Sequence, residues 1–116
     1  MEPIYDRRRQ VVAWLEEEDI YHRNGAHAAV VNGENVYGHN GQHLGVFESG
    51  LLRDHSGGAV AFITGAEGGP ILPIPSISPI PPIPSIPPIR AIPSIPPIPA
   101  IPSLGWGKTW DEFINA

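Results

Sequence analysis

Apolar and β-prone residues return along the first 66 residues at a constant spacing of 16. Six positions of the unit can be followed through four copies without a gap, and such a fixed period indicates one structural unit used repeatedly. The matched sets are Ile4, Ile20, Val36 and Leu52; Tyr5, Tyr21, Tyr37 and Arg53; Arg9, Gly25, Gly41 and Gly57; Val12, Ala28, Leu44 and Val60; Ala13, Ala29, Gly45 and Ala61; and Leu15, Val31, Phe47 and Ile63.

Each repeat is predicted to be a β-hairpin. Asn24-Gly25 lies between two short β-prone runs, and Asn40-Gly41 does so one repeat later. An Asn-Gly pair supplies the two positive-φ positions that a type I′ turn needs. Ser56-Gly57 is a weaker signal, and Arg8-Arg9 departs from it, which predicts a longer or less tight first turn. With further reversals between repeats, the pattern predicts a meander of about eight short strands.

The second strand of each hairpin is apolar on both faces. Trp14, Val30, Val46 and Phe62 alternate with the uniformly small residues Ala13, Ala29, Gly45 and Ala61. A sheet with one wet face would carry polar residues at every second position. We therefore expect one face to pack inward about a pseudo-fourfold centre, where the small position allows a close approach. The other apolar face needs a cover.

Isoleucine recurs at every third position of the proline-rich stretch that follows. A polyproline II helix has 3 residues per turn and a rise of about 3.1 Å per residue, so positions three apart share one face. Proline fixes φ and excludes both α-helix and central strand. The stretch is therefore predicted to be an extended rod with one apolar line, here called the isoleucine ridge: Ile71, Ile74, Ile77, Ile80, Ile83, Ile86, Ile89, Ile92, Ile95, Ile98, Ile101 and Leu104.

The isoleucine ridge argues against a mere spacer, which has no use for a continuous aliphatic line. Residues 70–104 would extend for roughly 105 Å as a straight rod, whereas a domain of this size is about 25–30 Å across. Either the tract folds back on itself, or the ridge meets other copies, as bundled rods or as a rod across neighbouring apolar faces. In the alternative from a different class, Pro79–Pro82 and Pro84–Pro87 display PxxP ligands to a polyproline-binding partner, although only Arg90 supplies a flanking positive charge.

The last segment, residues 105–116, changes character. Gly105 and Gly107 end the rod, and Thr109 with Glu112 forms a capping-box pattern that predicts a helix of about five residues. So short a helix needs a docking surface, on its own β-hairpin domain or on a neighbour's. The predicted docking residues are Trp106, Trp110, Phe113 and Ile114. We hypothesise that they lock one subunit to the next, in which case deleting residues 106–116 lowers the assembly size; the alternative is a local cap.

Composition excludes several classes of partner. The formal net charge of −5 argues against nucleic acid, and the short cluster Arg7-Arg8-Arg9 reads as a solvated turn. No signal peptide and no run of apolar residues long enough for a membrane span are visible. The chain has no cysteine, which fits a reducing compartment, and a cytoplasmic location is expected.

Candidate chemistry is sparse. His27 and His43 occupy equivalent positions, but Val11 and Ala59 fill the other two, which leaves too few ligands for a zinc site. Tyr5, Tyr21 and Tyr37 could form a ring that binds a sugar or a peptide, but such a position more often packs across strands, and packing is the role we expect. Ser56, His55 and Asp54 are sequence neighbours and do not predict a catalytic triad. We therefore expect no catalytic residues, no metal and no cofactor.

The units "IYDRRRQVVAWL", "IYHRNGAHAAVV", "VYGHNGQHLGVF" and "RDHSGGAVAF", with the proline-rich tail and the final "TWDEF", resemble the bacterial four-fold β-flower family. The resemblance implies four hairpins arranged like petals. The expected fold is all-β, with a four-repeat β-hairpin domain at 1–66, a polyproline II segment at 67–104 and the docking segment at 105–116. The expected function is that of a non-enzymatic structural protein that forms a homo-oligomer.

Overall fold

A computed structural model describes residues 1–67, 82–84, 87, 96, 101–102 and 104–115. In these ranges the chain forms eight strands and one short helix. They are β1 (Glu2–Tyr5), β2 (Val11–Glu16), β3 (Asp19–His22), β4 (His27–Asn32), β5 (Asn35–Tyr37), β6 (His43–Glu48), β7 (Leu51–Arg53), β8 (Ala59–Phe62) and α1 (Trp110–Ile114).

The eight strands close into one antiparallel barrel in sequence order. Each repeat is one hairpin, β1–β2, β3–β4, β5–β6 or β7–β8, as the period of 16 predicted. The four predicted petals are thus four adjacent hairpins of one barrel. Closure depends on β1 and β8, which pair through Tyr5 and Phe62, and this seam has the least strand pairing in the barrel.

The turn within each repeat differs from the predicted type I′ turn. In the second repeat the amide of Gly25 donates to the carbonyl of His22, and the amide of His22 donates to the carbonyl of Ala26. Gly25 has positive φ, whereas Asn24 does not. The same two bonds recur in the other three repeats, so all four turns are alike. The expectation that Arg8-Arg9 makes a looser first turn is therefore wrong: Arg9 adopts the left-handed conformation, with φ of 66°, that glycine adopts elsewhere.

The second strand of each repeat contains a β-bulge, which places two successive residues on the core side of the strand. Ile20 pairs with Ala29 and Tyr21 pairs with His27, which leaves Ala28 as the extra residue of the bulge. A bulge of this kind places two residues opposite one. The extra residues of the four repeats are Val12, Ala28, Leu44 and Val60, and all of them contact the main hydrophobic core.

The uniformly small position marks a close approach, as the sequence predicted. At Gly45 two groups approach, because a Cβ built there would clash with the carbonyl of Arg53 in the neighbouring strand and would lie 2.8 Å from the ring of Phe113. Ala13, Ala29 and Ala61 are fully buried in the same core. The inner face of the barrel is thus filled by its own repeats and by the helix.

The C-terminal segment closes the end of the barrel formed by the turns within the repeats. Phe113 is 0% exposed and Trp110 is 6% exposed, and both belong to the barrel core. The capping box predicted for Thr109 and Glu112 is present. Residues 105–107 lie beside β8, where the amide of Ala59 donates to Gly105 and the amide of Gly107 donates to Ala59.

Most of the proline-rich tract, for which a polyproline II rod was predicted, lies outside the described residues. The described residues at either end of the tract contact the same barrel: the amide of Glu67 donates to the carbonyl of Ser49, and the carbonyl of Gly105 accepts from Ala59. Within the tract, the carbonyl of Ile83 lies against Gly25. In the part of the chain that the structure describes, no helix has the length and apolar character needed to cross a membrane.

Candidate functional site

Two short chains of hydrogen-bonded side chains lie side by side on the second, third and fourth repeats. Each is built on a histidine at the start of a second strand, His27 in β4 and His43 in β6. The first residue of the preceding strand supplies one partner, Asp19 in β3 and Asn35 in β5. A turn of the following repeat supplies the other, His39 and His55. We call the two chains of side chains the Asp19 relay and the Asn35 relay.

The Asp19 relay joins three side chains in a line. Nε2 of His27 lies 2.8 Å from Oδ1 of Asp19, and Nδ1 of His27 lies 2.8 Å from Nε2 of His39. Because a carboxylate only accepts hydrogen bonds, neutral His27 carries its hydrogen on Nε2 and donates it to Asp19. Nδ1 of His27 then accepts the hydrogen that Nε2 of His39 donates. His27 is buried and His39 is exposed.

The Asn35 relay repeats this geometry with an amide in place of the carboxylate. Nε2 of His43 lies 2.9 Å from Oδ1 of Asn35, and Nδ1 of His43 lies 2.9 Å from Nε2 of His55. The two rings are nearly parallel, at 11°, as those of His27 and His39 are at 15°. The same proton arrangement follows: His55 donates to His43, and His43 donates to Asn35.

Tyrosines from the repeats hold the central histidines in place. The ring of Tyr21 contacts His27 edge to face with 5.4 Å between centroids, and Tyr37 contacts His43 in the same way. Tyr5, in the first repeat, stacks on Phe62 instead. All three tyrosines are buried, which agrees with the packing role predicted for them and not with an open binding ring.

Burial and neighbouring histidines favour the neutral form at two positions. Desolvation lowers the pKa of His43, and the charge of His55 lowers it further. Desolvation also lowers the pKa of His22, with added effects of His39 and His27 and an opposing effect of Asp111. His22 lies near the Asp19 relay, and its ring is edge-on to Trp110 at 6.1 Å.

The corresponding places on the other two repeats are apolar. Val11 and Ala59 replace the central histidines, and Pro3 and Leu51 replace Asp19 and Asn35. Beside Ala59 the C-terminal segment brings in Trp106, which lies over Phe62 and under the guanidinium of Arg7. One side of the barrel thus carries the relays, and the other side carries the docked segment.

Asp54 connects the turn of the fourth repeat to that segment. Its Oδ1 accepts hydrogen bonds from the amides of Ser56 and Gly58 and from the hydroxyl of Ser56, and its Oδ2 accepts one from the amide of Lys108. Burial alone would raise the pKa of Asp54, but these hydrogen bonds together lower it. His55 bonds to His43, so Ser56, His55 and Asp54 do not form a triad, as the sequence indicated.

A surface cavity of about 340 Å³ lies between the first turn and the helix. Asp6, Arg7, Arg8 and Gln10 line one side, and Thr109, Trp110 and Asp111 line the other. Charges of both signs surround it, and the relay histidines do not line it. We assign no chemistry to this cavity.

The docking residues predicted from the sequence contact their own barrel, in two separate clusters. Trp110 and Phe113 enter its core, Ile114 packs against that core, and Trp106 packs on the smaller cluster that contains Tyr5 and Phe62. Of the isoleucine ridge, Ile83, Ile101 and Leu104 are described, and they are 92%, 89% and 76% exposed. The other nine ridge residues lie outside the described part of the chain.

Sequence reasoning noticed the equivalence of His27 and His43 but missed their partners. The available signal was a repeated spacing: His39 follows His27 by 12 residues, and His55 follows His43 by the same 12. Because this spacing of 12 is four residues shorter than the repeat of 16, the second histidine lies in the turn of the next hairpin and not in its second strand. That contact follows only if adjacent hairpins are joined edge to edge in one barrel.

The relays can order protons and hold two imidazole nitrogens face to face. Among the described residues, no group of three or more histidine, cysteine, aspartate or glutamate side chains is arranged to hold a metal ion. Each relay ends at an exposed histidine, so its outer nitrogen is open to exchange with solvent.

A family model described as "4-fold beta flower protein" matches residues 2–114 of the chain. The match covers the barrel, the proline-rich tract and the helix. Comparisons with curated proteins and with solved structures find no match.

Proposed function

This chain belongs to the 4-fold beta flower family, and we propose that it is a non-enzymatic structural protein. In this proposal it self-associates through the isoleucine ridge and the apolar outer faces of its strands into an elongated homo-oligomer. The observation that carries the proposal is the exposure of Ile83, Ile101 and Leu104 in the isolated chain. Large aliphatic side chains left this open are typical of a contact surface.

The barrel itself offers little else for association. Its strands are paired in a closed ring, and a closed barrel has no free edge to which another strand could add. Its interior is filled by its own core and by Phe113. Among the described residues, the apolar side chains at the surface include Ile83, Ile101 and Leu104 of the ridge and the half-buried Val30 and Val46.

A comparison of free energies favours burial of the whole ridge on association. Full burial of one isoleucine contributes roughly 1.5–3 kcal/mol, so the three described ridge residues supply about 5–9 kcal/mol as an upper bound. Association costs an estimated 4–15 kcal/mol in lost freedom of motion. Three residues do not clearly exceed that cost, whereas the twelve positions of the ridge supply on the order of 20–35 kcal/mol.

The anchoring of the tract favours one of the two arrangements predicted for the ridge. Glu67 and Gly105, at its two ends, both bond to the same barrel. In this proposal, a tract anchored at both ends holds its ridge beside its own barrel, where a neighbouring barrel can cover it. We therefore propose that the ridge packs on a neighbouring flower and does not form an independent bundle of rods.

Sedimentation velocity of the full chain over a concentration series tests this function. We expect an oligomer whose population grows with concentration, and we expect the triple variant Ile83→Ser, Ile101→Ser, Leu104→Ser to weaken association by at least tenfold. Pro84→Ser with Pro87→Ser is the matched control, because both residues are exposed in the same tract but lie off the ridge.

A wild-type chain that stays monomeric at protein concentrations up to about 100 μM would contradict the proposal. That result would favour the alternative in which the tract displays PxxP ligands to a partner domain, where an apolar ridge facing solvent is no obstacle.

A further inference from the structure

The two facing histidine pairs carry an inference that is independent of self-association. In each pair two imidazole nitrogens point at one another, 2.8 Å apart for His27 and His39 and 2.9 Å apart for His43 and His55. One histidine of each pair is fixed within a strand, and the other lies in a turn and is exposed. The same construction occurs twice on neighbouring repeats.

Nε2 of each central histidine makes the kind of hydrogen bond that the second ring nitrogen of a metal-binding histidine makes. Metal-binding histidines almost always donate their other ring N–H to a carboxylate, a carbonyl or water, which fixes the tautomer and aims the free nitrogen. His27 does so to Asp19 at 2.8 Å, and His43 does so to the amide oxygen of Asn35 at 2.9 Å. Nδ1 of each is thereby oriented toward its exposed partner.

We propose that each histidine pair is a two-imidazole site for Zn²⁺, which binds between Nδ1 of the central histidine and Nε2 of the exposed one. Imidazole nitrogen is a preferred ligand of zinc, and water molecules complete the tetrahedron. The metal takes the place of the hydrogen that the exposed histidine donates. That hydrogen moves through solvent to Nδ1 of the same ring, so a neutral pair releases no net proton.

Zinc binding requires the two rings of a pair to separate slightly and the exposed ring to turn. A tetrahedral zinc ion with Zn–N bonds of about 2.0–2.1 Å separates its two nitrogens by about 3.3 Å, which is about 0.5 Å more than the present hydrogen bonds. The rings of each pair now lie end to end, with centroids 5.0 and 5.1 Å apart, so the exposed ring must also turn by roughly 70° for both lone pairs to point at one tetrahedral ion. In this proposal the exposed rings of His39 and His55 make that turn, while Tyr21 and Tyr37 hold the central rings. Each site has two protein ligands, which is consistent with the absence of larger metal-binding groups among the described residues.

The two sites differ in one partner and therefore provide an internal comparison. Asp19 is a carboxylate and Asn35 is a neutral amide, in equivalent positions of adjacent repeats. A carboxylate raises the basicity of the histidine that donates to it, and loss of such a partner typically costs 10–100-fold in metal affinity. The His27–His39 site is therefore the tighter of the two.

Isothermal titration of the full chain with zinc chloride, in a buffer that does not bind zinc, tests the proposal. We expect two sites per chain, with the first at least about tenfold tighter. His39→Ala removes the tighter site, and His55→Ala removes the weaker one. Asp19→Asn brings the first affinity close to the second, and Asn35→Asp brings the second close to the first.

His22→Gln is the matched control, since His22 is a histidine of the same region that belongs to neither pair. It should keep both sites. Because His39 and His55 are exposed, their alanine variants are expected to fold, which the far-ultraviolet circular dichroism of the metal-free proteins checks.

The proposal is overturned if wild-type protein binds no Zn²⁺ at zinc concentrations up to about 1 mM. It is equally overturned if the double variant His39→Ala, His55→Ala binds Zn²⁺ as the wild type does, because the ion would then be held elsewhere. Equal affinity of the two wild-type sites would overturn the assignment of Asp19 as the positioning residue.

Discussion

Arg9 occupies a position in its repeat that glycine occupies in the other three. Its φ of 66° lies in the left-handed region, where a side chain costs roughly 1–2 kcal/mol. We therefore expect Arg9→Gly to raise the free energy of unfolding by about 1 kcal/mol, after allowance for the greater freedom of glycine in the unfolded chain. Urea denaturation measures the change.

The reciprocal variant, Gly41→Ala, is the control for Arg9→Gly. Gly41 adopts φ of 79° at the equivalent place, so the substitution should lower stability by a similar amount. If Arg9→Gly is no more stable than the wild type, contacts of the arginine side chain outweigh the backbone strain.

Glycine pairs were a good signal for the position of the turns and a poor one for their type. Asn24-Gly25 and Asn40-Gly41 do lie where the chain reverses, but only the glycine of each pair has positive φ. The bulge behind each turn adds a residue to the second strand, and the wider loop then needs one left-handed residue, not two. Side-chain type alone does not reveal a bulge, because Ala28 and Leu44 are ordinary strand residues.

Helix α1 could be predicted almost completely from its capping box. The amide of Thr109 donates to Glu112 at 3.0 Å, and the amide of Glu112 donates to the hydroxyl of Thr109 at 3.3 Å. What five residues of helix do not reveal is where they dock. The small residue at position 45 was the only hint, and it identifies a close approach without naming Phe113 as the partner.

The capping box gives the helix a dependence on pH. Hydrogen bonds from the amide and the hydroxyl of Thr109 lower the pKa of Glu112 in the folded chain. A lowered folded-state pKa means that the contribution of Glu112 to stability is fully present above its unfolded value of about 4.3. The contribution is lost as the pH falls through the lower folded value.

Glu112→Gln should therefore differ from the wild type mainly above pH of about 4.5, and the difference in unfolding free energy should shrink at lower pH. Glutamine can make the same hydrogen bonds without a charge, so it isolates the titration from the cap itself. Urea denaturation from neutral to acidic pH measures this. A difference that stays constant with pH would show that the ionised form is not what the cap stabilises.

Docking of α1 is expected to contribute far more to stability than its cap. Phe113 is 0% exposed within the barrel core, and removing a buried phenylalanine side chain typically costs 3–5 kcal/mol. We expect Phe113→Ala to lower the unfolding free energy by about that amount, and Thr109→Ala by about 1 kcal/mol. Thermal and urea denaturation of the two variants give the comparison.

Gly45→Ala tests the same contact from the barrel side. The added methyl group would meet the Phe113 ring and the Arg53 carbonyl, so a loss of about 1–3 kcal/mol is expected. Ala29→Gly, at the equivalent place in the second repeat, is the matched control: it removes a buried methyl group without adding contact to Phe113. A neutral Gly45→Ala would mean that both the neighbouring strand at Arg53 and the helix at Phe113 give way more easily than the structure indicates.

The chain as a unit combines a symmetric barrel with a segment that breaks the symmetry. Repetition at a spacing of 16 predicted the hairpins, but neither the closure of the ring nor the choice of which repeats carry the relays follows from it. Closure joins β1 to β8, across a long separation in sequence. The docked segment covers Ala59, the position equivalent to the central histidines of the relays, because Trp106 pairs with it there.

The C-terminal segment should therefore act on the stability of the barrel seam. Residues 105–107 pair with Ala59 next to the place where β1 and β8 meet at Tyr5 and Phe62, and Arg7 of the first turn donates to the carbonyl of Gly107 at 2.6 Å. Relative to the full chain, we expect a chain ending at residue 104 to exchange its β1 and β8 amides faster, with a smaller change at β4 and β5, because the weakest pairing loses its support. Hydrogen exchange followed by mass spectrometry resolves the two regions.

The same truncation separates two roles of the segment. Docking within one chain predicts faster exchange at the seam with an unchanged assembly size in light scattering. A segment that also locks one subunit to the next predicts a smaller assembly, through exchange of the helix between barrels joined by a long tract. Unchanged exchange at β1 and β8 would contradict the docked position itself, because a barrel that keeps its seam without residues 105–115 gains nothing from Trp106 or from Phe113.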